Sequence, residues 1–146
     1  MGGSPVALAA ALAPEVVDAL YRPRRRPLVL CGRTRSGKTT LLREAARTAG
    51  RRAVWCSAFD MSNELAEAIR GGVHESYTAA LVGDPRPLCV EHLEDLRDKP
   101  RTREELRHLL GRVAPRRPVL LTVTRRRGDA ELVRWLRSWT ELRSLD

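Results

Sequence analysis

Short apolar runs alternate with longer amphipathic stretches along most of the chain. Five apolar runs predict strands, at 27–31, 53–57, 87–90, 118–124 and, more weakly, 141–145. Amphipathic stretches predict the helices between and after them, at 37–49, 63–70, 73–83, 102–113 and 129–138. The first four strands are continuously apolar, which is typical of strands buried on both faces of a sheet. This alternation predicts an α/β fold, a five-stranded parallel sheet in a three-layer α/β/α sandwich.

The predicted helix starts depend on residues able to cap free backbone amides. We expect Ser62 to cap the second helix and Asp129 to cap the last one. Thr102, with Glu105 three residues later, matches the capping-box pattern, which places the start of the fourth helix there.

The length of 146 residues fits one domain rather than two. We expect residues 1–26 to form an N-terminal helix and a basic linker, and residues 27–146 to form the α/β core. The alanine-rich start lacks the basic segment of a signal peptide, and no apolar run approaches the roughly 18 residues that cross a membrane. The sequence therefore predicts a protein with no membrane partner.

Three cysteines, Cys31, Cys56 and Cys89, lie far apart and lack the spacing of zinc ligands. Each lies in or at the end of an apolar run, where a thiol usually acts as a small buried side chain. We expect reduced core cysteines, no structural metal and a cytoplasmic protein.

The chain has 27 basic and 18 acidic residues, a formal net charge of +9. The arginines form clusters at 22–26, 116–117 and 125–127. The last cluster, Arg125, Arg126 and Arg127, follows a predicted strand, at the sheet edge where open α/β folds bind ligands. It is a candidate contact for a phosphate chain, nucleic acid or an acidic partner, with solvated loops or genome composition as the alternative.

A glycine-rich segment matches the G-x-x-x-x-G-K-[ST] pattern at every defined position. Its candidate phosphate-binding residues are Gly32, Arg33, Thr34, Arg35, Ser36, Gly37, Lys38, Thr39 and Thr40. Glycines let the backbone curl so that amides point at phosphate, and the helix N-terminus adds positive potential. Lys38 is expected to reach the β- and γ-phosphates and Thr39 to bind Mg²⁺. The segment predicts a P-loop that binds a nucleotide, ATP or ADP, with Mg²⁺.

A P-loop protein also needs an acid on a neighbouring strand to hold Mg²⁺. Glu91 follows the apolar run at 87–90 and is the candidate. Its alternative role is to begin a solvated acidic helix. His92 stands where many hydrolysing P-loop proteins carry a second carboxylate, so it is a candidate catalytic base that lacks a carboxylate's charge.

These segments together resemble the AAA+ ATPase core of the replication initiator DnaA. The similar stretches are Val6–Ala13, Pro27–Leu42, Ala53–Ser57 with Phe59, Leu88–Leu96, Arg101–Leu106 and Val119–Arg125. The resemblance implies the AAA+ base subdomain fold and places the family's sensor 1 residue at Thr124. It also places the arginine finger at Trp139 and a second boxed arginine at Trp135, with Arg134 and Arg137 nearby. The sequence reaches Asp146 without the family's helical lid or DNA-binding domain, so we expect the base alone.

The resemblance implies a nucleotide-binding regulatory or adaptor protein of DNA replication or DNA transactions, with weak or no ATP hydrolysis. Its implied partners are DNA or a full-length initiator of the AAA+ class. Other interpretations stay open: an active oligomeric ATPase of the helicase-loader type, a small-molecule kinase, or a protein-interaction module with a vestigial P-loop.

Overall fold

The structure, a computed structural model, describes residues 5–146. Its helices are α1 (Pro5–Tyr21), α2 (Lys38–Ala49), α3 (Ala58–Arg70), α4 (His74–Gly83), α5 (Pro100–Val113) and α6 (Ala130–Arg137). Its strands are β1 (Leu28–Gly32), β2 (Val54–Ser57), β3 (Leu88–Glu91), β4 (Val119–Thr124) and β5 (Glu141–Ser144). A short 3₁₀ helix, Leu93–Leu96, follows β3 and was not predicted from the sequence.

All five strands are parallel and lie in the order β2-β3-β4-β1-β5. Alternate residues of each strand face opposite sides of the sheet: Leu28 and Leu30 pack with α1 and α2, whereas Val29 and Cys31 pack with α3, α5 and α6. The predicted α/β/α sandwich is confirmed, including its weak fifth strand. Parallel pairing also brings the carboxyl ends of all strands to one edge of the sheet.

The N-terminal helix packs on α2. Val16 and Leu20 of α1 are fully buried with Leu41 and Leu42 of α2, and the Tyr21 hydroxyl donates to the Ala49 carbonyl. The first four residues of the predicted N-terminal helix and linker lie outside the described residues.

Two predicted helix starts are wrong. Helix α3 begins at Ala58 because Ser57, the last residue of β2, caps it. The Ser57 hydroxyl accepts a hydrogen bond from the Asp60 amide at 3.0 Å. The predicted cap, Ser62, is instead buried inside the helix. Helix α5 begins at Pro100, which needs no amide partner in the first turn, so the Thr102 capping box does not form.

Asp129 occupies the cap position of α6 but does not cap the helix with its side chain. Instead, its carboxylate accepts two hydrogen bonds from the Arg97 guanidinium, at 2.8 and 2.9 Å, and one from the Arg126 amide at 2.9 Å. These contacts hold the pKa of Asp129 below its usual value, the Arg97 hydrogen bonds contributing most. The ion pair fixes the loop between β4 and α6 to the 3₁₀ region.

The arginine cluster at 116–117 is divided between solvent and core. Arg116 is exposed, whereas the Arg117 side chain is only 2% exposed. Its guanidinium donates to the carbonyls of Arg86 and Leu81, at 2.6 and 2.9 Å, and lies 3.6 Å from Asp84. Arg117 therefore ties α4 and the following loop to the sheet and is not part of a solvated basic cluster.

Cys31 and Cys89 are buried, Cys56 is half-buried, and all three are free thiols. Burial raises the pKa of Cys56 to about 11 and that of Cys89 to about 12, so both stay protonated at neutral pH. Across residues 5–146 no group of three or more His, Cys, Asp and Glu side chains is arranged to hold a metal ion. No helix in that part of the chain is long and apolar enough to span a membrane.

We expect Asp129→Asn to destabilise the protein by about 3 kcal/mol at pH 7, because it leaves the half-buried Arg97 charge without a counter-ion. The native pKa of Asp129 is depressed, so its contribution is present above the unfolded value of about 3.9 and is lost as the pH falls through the native pKa. Urea unfolding of both proteins between pH 3 and pH 7 should show a stability difference that shrinks below about pH 4.

The matched control is Asp18→Asn, which removes a carboxylate from the exposed pair with Arg22. It should change stability by less than about 0.5 kcal/mol. Equal effects of the two substitutions would contradict the structural role assigned to Asp129.

Candidate functional site

The predicted P-loop lies at the carboxyl end of β1, between β4 and β5, and leads directly into α2. Its turn uses left-handed backbone at Arg35 (φ 67°) and Gly37 (φ 91°). Glycine adopts this conformation freely, whereas arginine does so at a cost. Arg33, Thr34 and Arg35 are exposed, Ser36 is buried, and Thr39 and Thr40 lie in the first turn of α2, half-buried and exposed respectively.

Gly32 is the first residue of the loop and has no room for a side chain. A Cβ atom there would collide with the Ser36 hydroxyl and lie 3.0 Å from the Ser36 Cβ and 3.4 Å from the Leu145 Cβ. The glycine in this position therefore allows the loop to fold back over the end of β1.

Lys38 is 7% exposed and its ammonium group holds the loop together. It donates hydrogen bonds to the Gly32 carbonyl at 3.0 Å, the Arg33 carbonyl at 2.8 Å and the Ser36 hydroxyl at 3.0 Å. Burial lowers the pKa of Lys38, and the nearby negative charge of Glu94 opposes that shift. The ammonium group therefore lies inside the loop, bonded to three of the loop's own residues.

Glu91 ends β3, opposite Ser57 of β2. It lies two residues after Cys89, which packs with α1 and α2, so Glu91 points to the same face of the sheet as the helix that begins at Lys38. Because β4 lies between β1 and β3, the ends of these strands are about 10 Å apart. The Glu91 Oε1 atom is buried and accepts no hydrogen bond from the described residues.

His92 follows Glu91 in left-handed backbone, with φ 63°. Its exposed imidazole Nδ1 lies 3.1 Å from Oε2 of Glu94. The 3₁₀ helix begins directly after His92, and this turn brings Glu94 toward the end of β4. There the Glu94 Oε1 atom accepts a hydrogen bond from the Thr124 amide at 2.8 Å.

Glu94 was not among the predicted site residues, although it lies within the segment Leu88–Leu96 that resembles the DnaA family. In the structure, only 14% of its side chain is exposed and it influences Lys38 electrostatically. No sequence signal marks the left-handed residue, His92, that turns it inward.

Thr124, the predicted sensor residue, ends β4 directly opposite Gly32 of β1. Alternation along β4 places its side chain on the face that Leu120 shares with α1 and α2. The amide of the next residue, Arg125, donates to the Gly32 carbonyl at 2.9 Å, so the loop after β4 is bonded to the start of the P-loop.

The carboxyl edge of the sheet also carries Arg125, Arg126 and Arg127, but these three line a cleft outside the P-loop. A cleft of about 980 Å³ runs between the outer turn of the P-loop, the loop after β4 and helix α6. We call it the arginine groove after six lining residues: Arg33, Arg125, Arg126, Arg127, Arg134 and Arg137. Of the P-loop, only Arg33 and Thr34 reach this cleft.

The two tryptophans near the end of the chain are packing residues. Trp135 and Trp139 contact each other edge to face, with ring centroids 5.2 Å apart, and the Trp135 indole donates to Glu104 at 2.8 Å. Trp139 is only 7% exposed. The position that the resemblance assigns to an arginine finger therefore belongs to the core, whereas Arg134 and Arg137 on the same helix are exposed.

A scan against protein-family models finds no match for this sequence, and a search of curated proteins finds none either. Solved structures do match. The replication initiator DnaA bound to AMPPCP and single-stranded DNA is 22% identical, with a TM-score of 0.68 over 98% of this chain and 47% of that chain. Domain III of Thermotoga maritima DnaA is 17% identical, with a TM-score of 0.69 over 100% of this chain and 64% of that chain. The DnaC helicase loader is 15% identical, with a TM-score of 0.64 over 99% of this chain and 92% of that chain.

The fold is therefore that of a P-loop AAA+ domain, with the sheet order and layers described above. More particularly, it is the fold of the DnaA AAA+ core, as the sequence segments predicted. The chain spans about half the length of the DnaA chains in two of the structures that it matches.

We expect Gly32→Ala to weaken nucleotide binding at least about tenfold, because a Cβ atom would push Ser36 away from Lys38 and open the loop. A fluorescent ATP analogue would report the affinity. Gly111→Ala is the control, since Gly111 lies within α5 with open space around its Cα. It should leave affinity unchanged and raise stability by up to about 1 kcal/mol; equal affinity of the Gly32 variant and the unmodified protein would show that the loop does not bind phosphate.

Proposed function

We propose that this protein binds a nucleoside triphosphate at its P-loop, hydrolyses it slowly or not at all, and acts as a regulatory or adaptor module in DNA replication initiation. The observation that carries the proposal is the position of Lys38. Its ammonium is buried within the loop and bonded to two loop carbonyls, at the edge where the ends of β1, β3 and β4 meet.

Phosphate binding requires Lys38 to exchange its contacts. The ammonium leaves the carbonyls of Gly32 and Arg33 and turns to the β- and γ-phosphates, while the amides of the loop and of the first turn of α2 donate to phosphate oxygens. The positive potential of Arg33 and Arg35 favours the same ligand. The AMPPCP complex of DnaA, which shares this fold, supports the assignment.

The residues present fit a magnesium ion. The Thr39 hydroxyl lies at the start of α2, and Glu91 offers a buried Oε1 without a hydrogen-bond donor among the described residues. Hard oxygen ligands of this kind suit Mg²⁺, which usually keeps several of its waters. Thr39 would bind the ion directly and Glu91 its water shell, where the ion would neutralise charge on the β- and γ-phosphates.

Slow hydrolysis follows from what surrounds the expected position of the γ-phosphate. His92 has no carboxylate charge, and its ring is engaged by Glu94. Glu94 is an acid close to Lys38, but its two carboxylate oxygens are already engaged, one by the Thr124 amide and the other by the His92 ring. A buried Trp139 provides no arginine finger, a group that contributes several orders of magnitude to phosphoryl transfer.

The link to replication is supported by the fold that this chain shares with DnaA and the DnaC helicase loader. We propose DNA or a full-length initiator as the partner. Surface plasmon resonance with the initiator immobilised should show binding that differs between ATP and ADP. Equal responses with and without nucleotide would contradict a nucleotide-dependent adaptor.

Lys38→Ala should reduce the affinity for MgATP at least about tenfold in isothermal titration calorimetry, because a charged donor to phosphate is lost. Lys99→Ala is the matched control. Lys99 is the only other lysine in the sequence and lies over the Phe59 ring, and we expect its removal to leave the affinity unchanged. Absence of binding by the unmodified protein would favour an interaction module with a vestigial loop.

Phosphate release by the unmodified protein should stay far below about 1 s⁻¹, the lower end of ordinary turnover numbers. Glu94→Gln should reduce any remaining release, because it removes the acid nearest Lys38. Brisk release that depends on Glu91 and His92 would instead identify an active ATPase, the main alternative. Malachite-green detection over several hours distinguishes these outcomes.

A further inference from the structure

We infer that a cleft at the amino edge of the sheet binds the phosphate group of a free small molecule. The cleft has a volume of about 300 Å³, at the lower end of the range for small-molecule sites. Five of its lining residues carry hydrogen-bond donors, and we call it the amino-edge cleft: Arg25, Arg107, His108, Arg112 and Trp139. This site goes beyond the proposed function, which uses the opposite edge of the sheet.

The amino-edge cleft lies away from the P-loop. Pro27, which lines it, directly precedes β1, and its carbonyl accepts a hydrogen bond from the Glu141 amide at the start of β5, at 2.9 Å. Arg107 and Arg112 lie in the last two turns of α5, which ends at Val113 before β4 begins. A strand of five residues is about 15 Å long, so the whole length of β1 separates the cleft from the P-loop.

The cleft holds a buried donor that the protein leaves unsatisfied. The Trp139 side chain is only 7% exposed, and its buried indole Nε1 atom has no hydrogen-bond acceptor among the described residues. The neighbouring Trp135 indole, by contrast, donates to Glu104 at 2.8 Å. A buried donor without an acceptor is destabilising, so its presence beside a cleft points to an acceptor that a ligand supplies.

The charges around the cleft favour an anion. Among the described residues, no acidic side chain lines it, and the exposed Arg25 side chain makes no ion pair or hydrogen bond. Arg107 lies 3.2 Å from Glu104, and neither this carboxylate nor Glu75 lines the cleft. Arg112 pairs with Glu75 at 3.0 Å. Because a guanidinium has five N–H donors, these pairs orient the two arginines and leave them donors for a ligand.

Phosphate suits this set of donors better than a carboxylate does. The donors come from three separate segments, namely the chain before β1, helix α5 and the turn before β5. They therefore reach a ligand from several directions. The tetrahedral oxygens of phosphate can accept from all of them, whereas the acceptor directions of a carboxylate lie near its plane. Guanidinium groups also match phosphate geometry, and the His108 ring adds one further donor.

The remaining wall of the cleft has room for the rest of a phosphate ester. Pro27 and the Trp139 ring contribute apolar surface to it. Gly111 has no side chain, and a Cβ atom there would meet open space. Inorganic phosphate alone would leave much of the 300 Å³ unfilled, so a phosphate ester with a small organic group is the better fit.

The test is a titration with inorganic phosphate, followed by ¹H–¹⁵N NMR of the indole groups at constant ionic strength. The sequence has three tryptophans, Trp55, Trp135 and Trp139, so three indole signals report on three places in the fold. The Trp139 signal should shift saturably, with a dissociation constant of about 1 mM, which so small a ligand can reach. Phenyl phosphate should bind at least about threefold more tightly, because its ring would also cover Pro27 and the Trp139 ring.

Two substitutions test the cleft in different ways. Arg25→Ala removes its unpaired guanidinium and should weaken phosphate binding at least about tenfold, because a charged donor is lost. Gly111→Leu keeps every charge but fills the cleft, and it should weaken the binding of both probes to a similar extent. The charge-matched control is Arg52→Ala. Arg52 is exposed and precedes β2, three strands away from β1 on the same edge, so its removal should leave both affinities unchanged.

The P-loop is a second place where phosphate could bind, and Lys38→Ala separates the two. This variant should weaken nucleotide binding and leave the Trp139 titration unchanged. The two proposals can therefore fail independently.

Three results would overturn the inference. The first is a Trp139 signal that stays in place at phosphate concentrations tenfold above the expected dissociation constant. The second is equal affinity in the unmodified, Arg25→Ala and Gly111→Leu proteins, which would place the phosphate elsewhere. The third is retention on phosphatidic acid vesicles that depends on Arg25, without any response to phenyl phosphate. That result would assign the cleft to a lipid headgroup instead of a free molecule.

Discussion

The parallel pairing of β1 with β4 is the constraint on which the rest of this structure depends. It places Gly32 opposite Thr124 and lets the Arg125 amide bond to the Gly32 carbonyl, so the P-loop and the loop after β4 start from one point. On one side of that point lies the interior of the P-loop with Lys38; on the other lies the arginine groove. Because ligands of open α/β sheets bind at the carboxyl ends of their strands, this pairing also explains why the proposed nucleotide site lies at this edge.

The two sides of the edge differ in how they balance positive charge. Inside the P-loop, the Lys38 ammonium is buried and satisfied by carbonyl oxygens and a hydroxyl, so a nucleotide must replace contacts that already exist. In the groove, by contrast, four lining arginines make no side-chain ion pair or hydrogen bond within residues 5–146: Arg126, Arg127, Arg134 and Arg137. The arrangement inside the P-loop favours a specific ligand that brings its own metal ion.

The sequence predicted the fold and the P-loop because both rest on local patterns: continuous apolar strands, helical spacing and the fixed glycines around Lys38. It could not predict features that depend on distant contacts. Glu94 joins the site only because His92 adopts left-handed backbone, and Arg117 is buried only because Leu81 and Arg86 offer their carbonyls. Ser57 was missed as a cap because its strand and α3 are joined without a loop. For Glu94 and Arg117 the deciding contact comes from a residue about 30 positions away in the sequence, so no local pattern predicts it.

The central claim, that the P-loop binds a nucleotide, is tested most directly by hydrogen–deuterium exchange with and without MgATP. The account predicts slower exchange for the amides of residues 32–40, where phosphate oxygens would accept their hydrogen bonds, and a smaller effect near Glu91 and Glu94. Exchange in residues 32–40 that is the same with and without saturating MgATP would contradict it.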